Sequence, residues 1–256
     1  MQIVKLSLKE ANKIPIEADN INPDNFAGKT EEEIKAVMVW YGNGQYPLGD
    51  FFNVKVEGSD SVENVKLVFE GDVSRVKRIG QNMSAGEIEI NGNVDMHCGF
   101  GMRGGKITIN GDADSWLGCE MTGGEIILNG NASYYVGSGY RGEACGMRGG
   151  KITVNGNARD YLGEHMCGGE ILVKGSVGLL PAISNNGGKI VVEGNATMPA
   201  SEMKSGTVII KGEVSDLLPS YKEEGTEEVE GASYRKFVGD VNVGGKGVLL
   251  INKITL

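Results

Sequence analysis

KITINGDADSWLGCEMTGG at residues 106–124 returns as KITVNGNARDYLGEHMCGG at residues 151–169. Repetition on this scale marks a stacked architecture, because each unit buries its apolar face only against its neighbours. Related units cover 87–105, 125–150, 170–188 and 189–206. A looser one precedes them at 66–86, and TVIIKGEV at 207–214 begins another. Each unit opens with two apolar residues two apart: Ile88/Ile90, Ile107/Ile109, Ile126/Leu128, Ile152/Val154, Ile171/Val173, Ile190/Val192 and Val208/Ile210. That spacing puts both on one face of a short strand. A glycine follows (Gly92, Gly111, Gly130, Gly156, Gly175, Gly194), then a small apolar residue two positions on. Met83, Met102, Met121, Met147, Met166 and Met203 recur near the unit's end, with Asn185 as the exception.

Asn-Gly between apolar runs ordinarily signals a hairpin, so an antiparallel meander is the rival reading. Matching columns argue against it. Parallel stacking places like side chains above one another at ~4.8 Å, whereas alternating directions would not require identical columns. The expected fold is all-β: a right-handed parallel β-helix of about seven coils, each with three short strands and three turns, on a repeat of about 19 residues. Three segments follow. Residues 1–65 form a small mixed N-terminal cap, with a capping box at Thr30–Glu33 and a hairpin turn at Asn43-Gly44. Residues 66–214 form the β-helix. Residues 215–256 form a C-terminal arm that either caps the stack or grips a partner.

Composition narrows the function. Glycine accounts for 41 of 256 residues, roughly twice the usual ~7%. A net charge of −9 argues against nucleic acid or anionic lipid as partner. No apolar run approaches the ~20 residues of a membrane span, and MQIVKLSLKEANK lacks a signal peptide's apolar core. Four cysteines without a signal peptide point to the reducing cytoplasm.

No side-chain set reads as catalytic. Cys98, Cys119, Cys145 and Cys167 contain no C-x-x-C pair. Cys119 and Cys145 share a column, two before the methionine, and are expected as small filling residues in neighbouring coils. His97 and His165 fall in different columns and are expected at exposed or turn positions. The methionines are expected as core. Asn91, Asn110, Asn129 and Asn155 are expected as an amide ladder. The GFGMRGG and SGYRGEACGMRGG runs lack a Walker lysine and the strand–helix setting of a phosphate loop. The informative departure is the 26-residue unit at 125–150. Aligned on Cys119 and Cys145, it holds seven extra residues: Ser138, Gly139, Tyr140, Arg141, Gly142, Glu143 and Ala144. Such an insertion becomes a loop, often on a binding face, and Tyr and Arg are favoured anchors. Arg103 and Arg148 share a column two coils apart and extend the candidate interface.

The repeated G-x-M-x-G-G ending and N-G-x-A middle resemble the glycine-rich β-helix of two families. One is the C-terminal domain of the glutamate synthase large subunit. The other is the C subunit of formylmethanofuran dehydrogenase, which matches better because EADNINPDNFAGKTEEEIKAVMVWYGN precedes the repeats here as a short non-repeating region does there. The resemblance implies a scaffold subunit, itself without catalytic, cofactor-binding or metal-binding residues, in a cytoplasmic complex of methane-forming archaea. That complex reduces CO2 and fixes it as formylmethanofuran in the first step of methanogenesis. Its tungsten or molybdenum pterin, iron–sulfur clusters and dinuclear metal site would lie in partner subunits, among them a pterin-binding and an amidohydrolase-like subunit. A glutamate synthase-type complex and a formyltransferase/hydrolase complex are the alternatives. A hexapeptide-type acyltransferase is a third, weakened because the chain lacks a six-residue sub-period.

Overall fold

The computed structural model describes residues 1–255. Strands make up 41% and helices 7% of it. The dominant feature is a large, mostly parallel sheet, 14-stranded among the described residues. Its centre is the run of repeated strands Val65–Glu70, Glu87–Asn91, Lys106–Ile109, Glu125–Leu128, Lys151–Val154, Glu170–Val173, Asn186–Val192 and Ser205–Ser215. All neighbours in this run pair parallel, with like residues opposed: Ile88, Ile107, Ile126, Ile152, Ile171, Ile190 and Val208 form one column. The meander reading is thereby excluded. The apolar pairs are buried and their alternate neighbours face outward, as a period of two requires.

Each unit carries a second registered position after the strand. Val73, Val94, Ala113, Ala132, Ala158 and Val177 form parallel bridges one above another. These are single bridges rather than strands, so of the three strands expected per unit only the first is regular. The reason is backbone geometry. Farther along each unit, one residue per unit in the same column adopts left-handed φ: His97 (+63°), Trp116 (+62°), Tyr135 (+64°) and Tyr161 (+64°). That conformation interrupts a strand. Registered hydrogen bonds nevertheless persist there, such as His97 N–H to Ser115 O (3.0 Å) and Trp116 N–H to Tyr134 O (2.9 Å).

Two side-chain ladders reinforce the stack. Asn110 donates to Asn91, Asn129 to Asn110 and Asn155 to Asn129, each Nδ2 to Oδ1 at 2.7 Å. The ladder stops at Asn155, whose Oδ1 is buried without a partner, because Lys174 follows in the column. In the second ladder, Asn93, Asp112, Asn131 and Asn157 each accept the backbone N–H of Asp112, Asn131, Asn157 and Ser176 respectively, at 2.7–3.0 Å. Asn129→Ala removes one donor and one acceptor from the first ladder at an exposed site. It is expected to lower stability by about 1 kcal/mol, read as a shift in the urea midpoint, with the fold retained.

The methionines of the repeat are core: Met83, Met102, Met121, Met147, Met166 and Met203 are fully buried. Asn185 occupies the same column and is also buried. Its Oδ1 accepts Gly187 N–H at 2.7 Å, while its Nδ2 has no partner.

Both ends join the same sheet. Gln2–Leu8 pairs parallel with Val65–Glu70 and antiparallel with Phe52–Glu57. The Thr30 capping box forms, with Thr30 Oγ1 accepting Glu33 N–H and the Glu33 carboxylate accepting Thr30 N–H. The hairpin Met38–Tyr41/Gly44–Pro47 also forms, but Tyr41 pairs with Gly44. Its two turn residues are therefore Gly42 and Asn43, one position earlier than expected. The left-handed φ of Gly42 (+64°) marks the turn. At the other end Gly247–Thr255 pairs parallel with Ser205–Ser215, then antiparallel with Ala232–Gly239. The acidic segment Lys222–Val229 forms the outermost strand. No helix of the described residues is long and apolar enough to cross a membrane.

Candidate interaction site

The 26-residue unit leaves the stack at one point. Glu120 N–H donates to Ser138 O, and Gly101 N–H donates to Cys119 O one unit earlier. Ser138 therefore occupies the place of Cys119, and the alignment of Cys145 with Cys119 is corrected. Ser138 is fully buried and donates from its hydroxyl to Tyr135 O at 2.6 Å, so it is not part of the loop. The excursion begins at Gly139 and ends at Gly146. Their amides return to the next unit at Glu164 O (3.3 Å) and His165 O (2.8 Å). The two glycines pinch the loop shut: a Cβ on Gly146 would lie 2.6 Å from the Gly139 nitrogen. Residues 140–144 are exposed. Tyr140 N–H is held by the Glu120 carboxylate at 3.1 Å.

The cysteines differ from expectation. Cys145 and Cys167 form a disulfide, tying the loop's end to the following unit, so Cys145 is not a small filling residue stacked in the column of Cys119. The two meet because the excursion displaces Cys145 from the regular register. Cys98 and Cys119 are free and buried. Burial pushes the Cys98 thiol up to about 12 and the Cys119 thiol higher still.

Beside the loop runs a feature that sequence reading missed. His97, Trp116, Tyr135 and Tyr161 stack at 5.1, 5.0 and 5.0 Å between ring centroids, within 12° of parallel. One aromatic ring per unit, in the left-handed column, places each ring directly above the last. Counting five residues forward from Gly92, Gly111, Gly130 and Gly156 finds all four. Counting back from the methionine does not, because the insertion displaces Tyr135. His97 lies in a turn, one of the two positions expected for it, but is buried in this stack, and its Nε2 has no hydrogen-bond partner. His165 lies in a left-handed turn (φ +55°), one column from the stack.

Loop and stack enclose a cavity of about 220 Å³ lined by Trp116, Tyr135, Tyr140, Arg141, Glu164 and His165, together with Gly139 and Gly142. Burial raises the Glu164 carboxyl and the Tyr135 hydroxyl above their ordinary values. Arg103 and Arg148 are exposed in the column after the methionine, with Thr122 between them. They do not line the cavity. A larger concavity, about 1000 Å³, lies against the N-terminal strands and contains Lys5, Lys9, Lys35 and Lys55. Two of these lysines are already paired, Lys5 with Glu57 (3.2 Å) and Lys35 with Glu31 (2.5 Å). Among the described residues no three His, Cys, Asp or Glu side chains converge as a metal site.

Burial, then the Arg78 charge, lowers the His97 pKa from 6.5 to about 4, opposed by Glu17 and reinforced by Lys77. The unfolded chain therefore binds a proton between those values that the folded chain does not. Stability from this group is present above pH 6.5 and is lost as pH falls towards 4. His97→Phe keeps a ring over Trp116 and cannot titrate. Urea midpoints measured across this window are expected to fall less steeply in the variant than in the wild type.

No family model matches the chain. It is 48% identical over 101 residues to the C subunit of the tungsten-containing formylmethanofuran dehydrogenase 2 of Methanothermobacter marburgensis, covering 40% of this chain and 37% of that protein. It is 48% identical over 97 residues to the C subunit of the molybdenum-containing formylmethanofuran dehydrogenase 1 of Methanosarcina barkeri, covering 38% of this chain and 32% of that protein. The matched stretches thus span about a third of these curated relatives. A chain of the formyltransferase/hydrolase complex of Methylorubrum extorquens, crystallised with methylofuran, superposes with a TM-score of 0.89 at 30% identity, over 96% of this chain and 98% of that one.

Proposed function

The chain belongs to the family of formylmethanofuran dehydrogenase C subunits, and from that premise we propose that it is the non-catalytic scaffold subunit of a formylmethanofuran dehydrogenase complex. Near-end-to-end likeness to a chain of a multi-subunit one-carbon complex is the observation that carries this reading. The complex reduces CO2 and fixes it as formylmethanofuran. Pterin-bound tungsten or molybdenum, iron–sulfur clusters and the dinuclear site lie in partner subunits, in the cytoplasm. The 48% identity to dehydrogenase subunits over about 40% of the chain supports the dehydrogenase. The full-length superposition keeps the formyltransferase/hydrolase complex as the second reading.

The scaffold is a right-handed parallel β-helix. The registered strands, the bridge column and the left-handed column support three sides per turn. Residues 1–65 cap one end, and 215–255 extend the sheet at the other. The loop Gly139–Ala144, with Arg103 and Arg148 nearby along the stack, is the docking face. Tyr140 is 51% exposed, a large amphipathic surface suited to an interface anchor.

The test is reconstitution. The purified chain alone is expected to hold no stoichiometric tungsten, molybdenum or iron and to show no formylmethanofuran oxidation. Adding it to the remaining subunits is expected to restore assembly and activity. A Tyr140→Ala/Arg141→Ala variant should weaken that association about tenfold or more, as loss of an interface anchor does. Stoichiometric metal in the isolated chain would contradict the reading.

A further inference from the structure

The Cys145–Cys167 bond is not what sets the register of the stack. Every other pair of neighbouring units is joined without one, by parallel backbone ladders. Its mechanical consequence falls on the loop. Residues 140–144 are exposed and otherwise anchored by few contacts: the Gly139 and Gly146 amides at the pinch, Tyr140 N–H to Glu120, and the Tyr140 ring against His97 at 6.1 Å between centroids. The loop in turn forms one wall of the cavity over Trp116 and Tyr135. The four cysteines divide by access. Cys98 and Cys119 are buried, whereas Cys145 and Cys167 are partly exposed, within reach of an external thiol.

We propose that the Cys145–Cys167 disulfide is a redox-operated clasp that holds the Gly139–Gly146 loop against the aromatic stack and releases it on reduction. The reductant is a dithiol of the thioredoxin class. One of its thiolates attacks a cystine sulfur, the Sγ–Sγ bond breaks, and the departing cysteine leaves as a thiolate that takes up a proton. The second thiol of the reductant resolves the mixed disulfide. Two electrons and two protons pass to the cysteines, and the reductant ends as a disulfide. Freed from its covalent tie, the loop keeps only these non-covalent contacts, and the cavity beside Trp116 opens. This inference does not depend on the proposed docking role, since the clasp acts within the chain.

The test uses the full chain in a Trp40→Phe background, so that Trp116 is the remaining tryptophan. Alkylation in denaturant should block two thiols in the air-purified protein and four after dithiothreitol treatment of the folded protein. On reduction, amide exchange in 139–146 should rise about tenfold, as expected of a local opening, and acrylamide quenching of Trp116 should increase. Exchange in Lys106–Ile109 and Glu125–Leu128 should not change. A Cys145→Ser/Cys167→Ser variant should match the reduced protein. Four free thiols before reduction, resistance of the folded protein to dithiothreitol, or unchanged loop exchange after full reduction would each overturn the clasp, as would a double variant that behaves like the oxidised chain.

Discussion

Gly124→Ala is expected to lower the stability of the chain by about 3 kcal/mol. Gly124 closes its unit at φ +83°, a conformation that costs an L-residue with a Cβ ~1–2 kcal/mol. The added Cβ would also lie 2.6 Å from Met102 Cε, 2.8 Å from Gly105 O and 2.9 Å from Gly104 C. The methyl can move, but the two backbone atoms belong to the stacked unit and move only with it. Overpacking of this kind costs ~1–3 kcal/mol. The two effects act together and at the seam between units. Urea denaturation read by far-ultraviolet dichroism checks it. A midpoint within error of the wild type would mean that the units are not packed backbone on backbone at this turn.

Trp116→Ala is expected to cost about 2–3 kcal/mol, although the side chain is only partly buried. Trp116 is the second ring of the stack, sandwiched between His97 at 5.1 Å and Tyr135 at 5.0 Å. Each stacked pair is worth ~0.5–1.5 kcal/mol beyond area burial, and removal severs both. Backbone geometry supplies an internal control. Trp116 sits at φ +62°, where glycine is favoured over alanine by ~1 kcal/mol or more. Trp116→Gly should therefore be less destabilising than Trp116→Ala, the reverse of their order in an ordinary strand. Trp116→Tyr, which keeps a ring in the column, should cost less than ~1 kcal/mol. Equal losses for Ala and Gly would contradict the left-handed assignment.

These two positions show which parts of the molecule can be read from sequence. Where every unit demands the same chemistry, the column repeats a residue type and is legible. Ile107, Ile126 and Ile152 must fill one interior face, Met102, Met121 and Met147 another gap, and Asn110, Asn129 and Asn155 must bond to copies of themselves. The parallel order follows from those columns. The aromatic stack is less visible because its column demands only a flat face, which His97, Trp116, Tyr135 and Tyr161 supply with three different residue types. A left-handed backbone at four large non-glycine residues is also set by neighbouring units rather than by local preference. The disulfide is hidden for a related reason. The insertion begins at Gly139 rather than Ser138, and that single-position difference removes Cys145 from the Cys119 column. It then brings Cys145 to Cys167, which belongs to the next unit and another column. The hairpin at 42–43 shows the same limit at smaller scale: the signal for a turn is present, but pairing of Tyr41 with Gly44 decides its register.

The functional reading depends on the same distinction between repeated and singular features. The stack accounts for nearly all of the repeated residues as structure. What is left is singular: one long loop bearing Tyr140 and Arg141, one covalent tie, and one cavity against the rings. The proposed scaffold role requires a unique docking feature on a regular body, and this loop is the feature assigned to it.

The most direct measurement is purification of the tagged chain from its native host under gentle anoxic conditions, with mass spectrometry and metal analysis of what accompanies it. Co-purification of a pterin-binding subunit and an amidohydrolase-like subunit, with tungsten or molybdenum in the assembly, is the predicted result. A chain that elutes alone, or with flavin-containing partners, would contradict the scaffold assignment.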